Sequence, residues 1–217
     1  MTRVAMFDLD GTLVDSAPTI LATFEWVLER HGLAARASLD HSLIGPPLRD
    51  TLRRVTGVDD AEAIEGLFRT FRERYDATAV EATPAYAGYA DTLDATRALG
   101  FEPIIVTNKR IRPAKLIVER LGGAGAYAGI YALDAFDPPL PNKAAVVARV
   151  IALHGITVTR SVLVGDSVED ASAADANGVP FIAAMYGYGN PDAGNHPVVA
   201  RITSLTDLPA RLVDLAL

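Results

Sequence analysis

The chain has 217 residues, half of them apolar, a formal net charge of -7 and no cysteine. That length suits one domain, or one domain with a smaller insert, and is enough to bury a substantial core. The acidic balance argues against nucleic-acid and anionic-membrane partners, and the absence of cysteine excludes disulfides, thiolate metal sites and a cysteine nucleophile. Charges, glycines and prolines break every apolar stretch before membrane-spanning length. Met1-Thr2-Arg3 leads almost at once into the Asp8 motif, so no signal peptide, with its apolar region and cleavage site, is expected. The expectation is a soluble cytoplasmic protein, a monomer or a homodimer.

In chain order, Val4 to Phe7 is a short apolar run that ends abruptly in Asp8-Leu9-Asp10-Gly11-Thr12. Such a run reads as a buried strand of a parallel sheet. Ser16 and Pro18 supply helix-start chemistry, and Ile20, Leu21, Phe24, Val27 and Leu28 mark one face of a helix ending at His31-Gly32. Short helices are expected over 39–44 and 46–56 and a longer one over 59–78, with Asp59 and Asp60 at its N-terminus. No strand is expected between Ala17 and Thr83.

From Tyr86 the pattern alternates. Helices are expected over 88–99, 113–121, 143–154, 168–177 and 205–215. Strands are expected over 102–106, 128–132, 161–164, 180–184 and 198–202. Alternation of this kind implies right-handed crossovers and a doubly wound, mainly parallel sheet with helices on both faces. The first strand therefore belongs with the C-terminal array. The expected division is 1–15 with 84–217 as an α/β core and 16–83 as an all-helical insert, with hinges near 14–18 and 80–86.

Burying unpaired carboxylates is very costly, so Asp8 and Asp10 do not fit a strand interior. They fit the carboxyl end of a parallel strand, where α/β sheets bind ligands. Two further strand ends carry polar groups: Thr107-Asn108-Lys109 after Val106, and Gly165-Asp166-Ser167 after Val164, with Asp170 following. A proline-rich loop, 137–142, delivers Lys143 at a helix start. Asp8, Asp10, Asp166 and Asp170 on one edge would repel one another unless a hard divalent cation joined them, and Mg²⁺ favours carboxylates, waters and phosphate oxygens. Lys143 and the Thr107 hydroxyl suit the oxygens of a transferring phosphoryl group. The amides of Leu9 to Thr12, including Gly11 and Thr12, are candidate anion donors.

Asp8-Leu9-Asp10-Gly11-Thr12, Thr107-Asn108, Lys143 and Gly165-Asp166 with Asp170 resemble, in order, the four motifs of the haloacid dehalogenase superfamily of phosphohydrolases. The resemblance implies a Rossmann-like core, with the helical insert as a C1 cap. Thr107-Asn108-Lys109, Gly45-Pro46-Pro47-Leu48 and Tyr186-Gly187-Tyr188-Gly189 look closer to phosphoglycolate phosphatase-like members. The third motif departs from the commoner Lys-Pro-x-Pro pattern. Of the chain's three lysines, Lys109 and Lys115 fall elsewhere, which leaves Lys143 for that role.

The resemblance implies that Asp8 attacks phosphorus and that Asp10 serves as general acid and then general base. Asp166 would bind Mg²⁺, and Asp170 would bind it or orient one of its waters, although acids at a helix start are also favoured by the macrodipole. Asn108 and Thr107 would contact phosphate or cap the next segment. Arg49, after the Gly-Pro-Pro-Leu loop, would hold a substrate anion or belong to a solvated charge cluster with Arg53 and Arg54. Tyr186 and Tyr188 read as packing or loop residues. The activity implied is Mg²⁺-dependent hydrolysis of a small phosphorylated metabolite, phosphoglycolate-like. A phosphomutase similar to β-phosphoglucomutase, a nucleotide or pyrophosphate hydrolase, and a silent binding protein of the same fold are the alternatives.

Overall fold

A computed structural model describes residues 3–123 and 125–215. Contacts divide the chain into two compact units, Met1–Asp15 with Pro84–Leu217, and Ser16–Thr83. Met1, Thr2, Ala124, Ala216 and Leu217, all in the larger unit, lie outside the described residues.

The larger unit is built on a six-stranded, fully parallel sheet. Its strands are β1 (Arg3–Phe7), β2 (Phe101–Thr107), β3 (Gly129–Ala132), β4 (Ser161–Gly165), β5 (Phe181–Ala184) and β6 (Ala200–Ile202), in the order β3-β2-β1-β4-β5-β6. β1 lies at the centre because it is apolar on both faces: Val4, Ala5, Met6 and Phe7 are all buried. Met6, Ile104 and Leu163 are fully buried and meet Val147, Val150 and Phe181 in one core cluster. Each such aliphatic side chain contributes about 1.5–3 kcal/mol on burial.

The chain runs from β1 outward through β2 to β3, then returns to the other side of β1 through β4. The β1/β4 boundary is thus the point where strand order reverses, the place at which open parallel sheets leave a crevice beyond their carboxyl ends. Phe7 pairs with Val164, and the Asp8 amide still donates to the Val164 carbonyl at 2.9 Å. Register alone therefore sets Asp8 beside Gly165 and Asp166.

Ser16–Thr83 is all-helical among its described residues: α1 (Ala17–Arg30), α2 (Leu48–Thr56) and α3 (Ala61–Ala82), with a short 3₁₀ turn at His41–Leu43. Phe24, Leu52, Val55, Ile64, Leu67 and Phe71 form its own core, with the Phe24 and Phe71 rings 4.6 Å apart. α3 begins at the Asp60 cap, whose carboxylate accepts from Ala63 N, and runs four residues past the expected end. Ala79 packs into the core, and no proline or glycine intervenes before Pro84. The segment expected as a helix over 39–44 forms only the 3₁₀ turn. Ser16 stands at the N-cap of α1 but makes no side-chain capping bond; Pro18 supplies the start signal instead.

In the larger unit the helices are α4 (Tyr89–Ala98), α5 (Ile111–Arg120), α6 (Lys143–His154), α7 (Val168–Ala176) and α8 (Leu208–Asp214). The segment expected as one helix over 205–215 splits into a 3₁₀ turn, Leu205–Asp207, and α8, with Pro209 in its first turn. No helix among the described residues is long and apolar enough to cross a membrane.

Candidate active site

The turn after β1 is closed by its own backbone. Gly11 N donates to Val14 O at 2.9 Å, and Thr12 N and Leu13 N donate to Leu9 O. The amides of Gly11 and Thr12, expected as anion donors, are thus spent inside the turn. Those of Leu9 and Asp10 donate to no other backbone group among the described residues. Gly11 has φ +82°, and a Cβ there would sit 2.3 Å from Asp166 Oδ2. Only glycine satisfies both the left-handed backbone and the close carboxylate.

Asp8, Asp166 and Asp170 converge. One carboxylate oxygen from each lies within 4.8 Å of the others, and all three side chains are buried. Lys143, the first residue of α6, is held there by the Asn142 cap, whose side chain accepts from Ala145 N. Its ammonium lies 2.8 Å from Asp8 Oδ1 and 2.6 Å from Asp170 Oδ1. The contact to Asp8 is an ion pair off hydrogen-bond alignment, which leaves Asp8 Oδ1 a buried oxygen with no directed donor.

Asp170 closes a capping box at the start of α7: its Oδ2 accepts from Ser167 N and Oγ, and Ser167 Oγ accepts from Asp170 N. Asp170 is thus both part of the α7 cap and a member of the acidic cluster.

Asp166 is held from the other side. Its Oδ2 accepts from the amides of Tyr188 and Gly189 at 2.8 and 3.0 Å, and Thr12 Oγ1 approaches Oδ1 at 3.4 Å. A Cβ on Gly187 would fall 2.3 Å from Asp166 Cβ, so the chain can pass only as glycine. Tyr186 and Tyr188 anchor that loop to the first turn: Tyr186 donates to Thr12 O at 2.7 Å, and Tyr188 donates to Asp15 Oδ1 at 2.8 Å. The Tyr-Gly-Tyr-Gly stretch is therefore a brace for Asp166, consistent with reading its tyrosines as loop residues.

The charge balance here is uneven. Three carboxylates share one ammonium. Burial pushes the Asp8 carboxyl up to about 8; Lys143 opposes this, and the charges of Asp170 and Asp166 add to it. Burial, then Asp170, raises Asp166 to about 6 against the pull of the Gly189 and Tyr188 amides. Burial alone would lower the Lys143 ammonium, but Asp170 and Asp8 drive it above the usual lysine range. A site of hard oxygen donors, short of positive charge and with one oxygen lacking a directed donor, fits a small divalent cation such as Mg²⁺.

Asp10, expected as a fourth metal ligand, has its carboxylate outside this group. Lys109 Nζ instead contacts both of its oxygens, at 2.9 and 3.1 Å. Sequence reasoning passed over Lys109 because it looked for a single third-motif lysine. The signal was available: Phe7 pairs with Ile105, so residues just beyond the two strand ends must meet.

Thr107 is buried, and its hydroxyl accepts from Lys109 N at 3.1 Å, which leaves its own proton for a ligand. Asn108 is exposed. Arg49 is engaged within the helical unit, paired with Glu65 through Nε and Nη2 at 3.0 and 3.1 Å and lying 3.7 Å from the Phe68 ring centroid.

The profile of the haloacid dehalogenase-like hydrolases matches residues 5–184. The chain belongs to that family. This hydrolase is 33% identical over 211 residues to the phosphoglycolate phosphatase of Xylella fastidiosa, a match covering 95% of this chain and 90% of that one. It is 31% identical over 194 residues to the phosphoglycolate phosphatase of Agrobacterium fabrum, covering 87% and 82%. In fold, the hydrolase superposes on a haloacid dehalogenase-like family protein of Streptococcus pneumoniae with a TM-score of 0.84, at 22% identity and covering 97% and 98% of the two chains.

Proposed function

We propose that this phosphoric monoester hydrolase cleaves a small, phosphoglycolate-like phosphomonoester with Mg²⁺ as cofactor, in two in-line steps through an aspartyl-phosphate at Asp8. The observation that carries the reading is the environment of Asp8: a buried carboxylate at the sheet's switch point, beside the Lys143 ammonium, with Asp166 and Asp170 in reach of a shared cation.

Asp166 and Asp170, with Asp8, would hold the Mg²⁺, which when bound offsets the excess negative charge and draws the phosphoryl oxygens in. Asp8 is the nucleophile. Its oxygen forms a bond to phosphorus as the bond to the leaving oxygen breaks. Asp10 gives its proton to that oxygen, then takes one from the water that attacks the phosphorus of the intermediate. Lys143 stays beside the reacting carboxylate, where it can neutralise the phosphoryl oxygens as charge builds on them. The Thr107 hydroxyl and the amides of Leu9 and Asp10 are the further donors, and Asn108 stands at the exposed rim of the same strand end. Closure of the turn carrying Gly11 and Thr12 keeps Asp8 and Asp10 in fixed relation.

We propose that the helical unit 16–83 is a cap that selects the substrate by size, with Arg49 as its anion-holding residue, and that the enzyme works in the cytoplasm. Screening phosphoglycolate, sugar phosphates, nucleotides and pyrophosphate for phosphate release tests the substrate class. Preference for a short carboxylated phosphomonoester is expected. Conversion of a sugar phosphate to its isomer without phosphate release would move the assignment to a phosphomutase.

A further inference from the structure

We propose that Lys109 is the positioning residue of the acid–base group, fixing the plane of the Asp10 carboxyl for proton transfer to the leaving oxygen. The proposal rests on the role of Asp10 given above and adds to it the group that makes that role possible.

Three observations carry it. First, one ammonium lies within hydrogen-bond distance of both Asp10 oxygens, at 2.9 and 3.1 Å. A single cation can meet both oxygens only by lying between them, so the contact restricts rotation of the carboxyl about its own bond.

Second, the pair is sheltered: the Lys109 side chain is 5% exposed and that of Asp10 18%. Away from water the attraction between the two charges is stronger and less screened by salt than on the surface.

Third, both residues stand on backbone that is itself pinned. Lys109 N donates to Thr107 Oγ1, turning the chain just past β2. Asp10 lies in the closed turn between Leu9 and Val14 and bridges to Val14. Each reacting aspartate thus has its own lysine: Lys143 at Asp8, Lys109 at Asp10.

The consequence is selective. In the first half-reaction the Asp10 proton passes to the leaving oxygen as the bond from that oxygen to phosphorus breaks and the Asp8–phosphorus bond forms. Asp10 is left as a carboxylate beside Lys109. In the second, Asp10 takes a proton from water as the water oxygen attacks phosphorus and the Asp8–phosphorus bond breaks. A poor leaving group, such as an alkoxide, depends on the first transfer. A good one, such as p-nitrophenolate, leaves without it. Losing the positioning of Asp10 should therefore slow alkyl esters and spare aryl esters.

The experiment is single-turnover release of alcohol from an alkyl phosphate and of p-nitrophenol from p-nitrophenyl phosphate, with Mg²⁺ present. The enzymes compared are wild type, Asp10→Asn, Lys109→Met, Lys109→Gln and Lys109→Arg. The surface variant Lys115→Met is the control. Lys109→Met and Lys109→Gln should slow alkyl release by about 10- to 100-fold, part of the usual acid–base contribution, and aryl release by less than about threefold.

Aryl release also reports whether each variant is folded. Lys109→Arg, which keeps the charge and brings a fork able to meet both oxygens, should hold the alkyl-to-aryl ratio within about fivefold of wild type. Equal slowing of both substrates, or an unchanged alkyl rate, in both Lys109→Met and Lys109→Gln would overturn the proposal. If Asp10→Asn separates the substrates while the lysine variants do not, only the role of Lys109 falls. If Asp10→Asn fails to separate them, the acid–base assignment falls and the proposal with it.

Discussion

Asp8 and Asp10 are two residues apart, yet their surroundings differ in charge. Around Asp8, three buried carboxylates face one ammonium from Lys143. Around Asp10, the Lys109 ammonium meets both oxygens of the carboxylate, at 2.9 and 3.1 Å. The first half is short of positive charge among the described residues; in the second, a lysine of the chain meets the carboxylate directly. The difference teaches how one turn can carry two differently charged carboxyls, and the proposed mechanism assigns metal and phosphoryl group to the under-neutralised half and proton transfer to its neighbour.

The largest break in this contrast comes from the nucleophile. Asp8→Asn should lower turnover of a phosphomonoester on the order of 10⁴-fold, because no covalent route remains. It should not lower the melting temperature of the metal-free protein, because one charge leaves an overcrowded site; differential scanning calorimetry with and without EDTA reads both. Removal of Lys143 acts next. Lys143→Met should reduce turnover by about 10²–10³-fold, the scale of one lost transition-state donor. It should also destabilise the metal-free fold by about 3–5 kcal/mol, as expected when one partner of a buried ion pair is deleted. Denaturant titrations should show Mg²⁺ recovering part of that loss.

Chelation tests the deficit itself. EDTA should silence the enzyme and Mg²⁺ restore it. The pH dependence follows from the raised carboxyls, Asp8 at about 8 and Asp166 at about 6 against an ordinary 3.8. Between the ordinary and the raised values the folded state binds more protons than the unfolded state, so unfolding free energy falls as pH rises. Metal-free protein should therefore lose stability from about pH 4 to about pH 8, and the melting-temperature gain from Mg²⁺ should grow over the same range. A gain that shrank with rising pH would contradict the charge deficit.

The smallest effect belongs to Arg49. Its pair with Glu65 is about half exposed, so Arg49→Ala should change the unfolding free energy by about 1 kcal/mol or less, while the proposed anion-holding role predicts a higher KM for an anionic substrate in steady-state assays.

Much of this site was legible before the fold. Asp8 and Asp166 stand just past strand ends, where a buried strand would not tolerate them, parallel register brings those ends to one edge, and Asp170 follows in the first turn of α7. Lys143 was legible differently, as the basic residue at a helix start after a proline-rich loop and as the lysine left for the third motif. What escaped depended on pairs distant in sequence. Lys109 meets Asp10 only because β1 and β2 are neighbours, and strand order is not encoded in any local pattern.

The Tyr186–Gly189 stretch was noticed as a motif, but its work is done by backbone amides and by glycines without side chains, which residue chemistry cannot reveal. The Gly11 and Thr12 amides looked available because a glycine turn suggests an anion cradle; the turn's internal bonds take them up instead. α3 runs past its expected end because Ala79 packs into the helical core and no proline or glycine intervenes before Pro84, and the 39–44 segment forms only a 3₁₀ turn.

The central claim is a covalent step at Asp8, and acid-quenched mass spectrometry addresses it most directly. Wild-type and Asp10→Asn enzymes are mixed with Mg²⁺ and substrate, quenched in acid and digested. The expected result is one phosphoryl group on the peptide containing Asp8, more abundant in Asp10→Asn because hydrolysis of the intermediate lacks its base, and absent in Asp8→Asn. Phosphate release in the wild type with no phosphorylated Asp8 in either enzyme, or with the group on another residue, would contradict it.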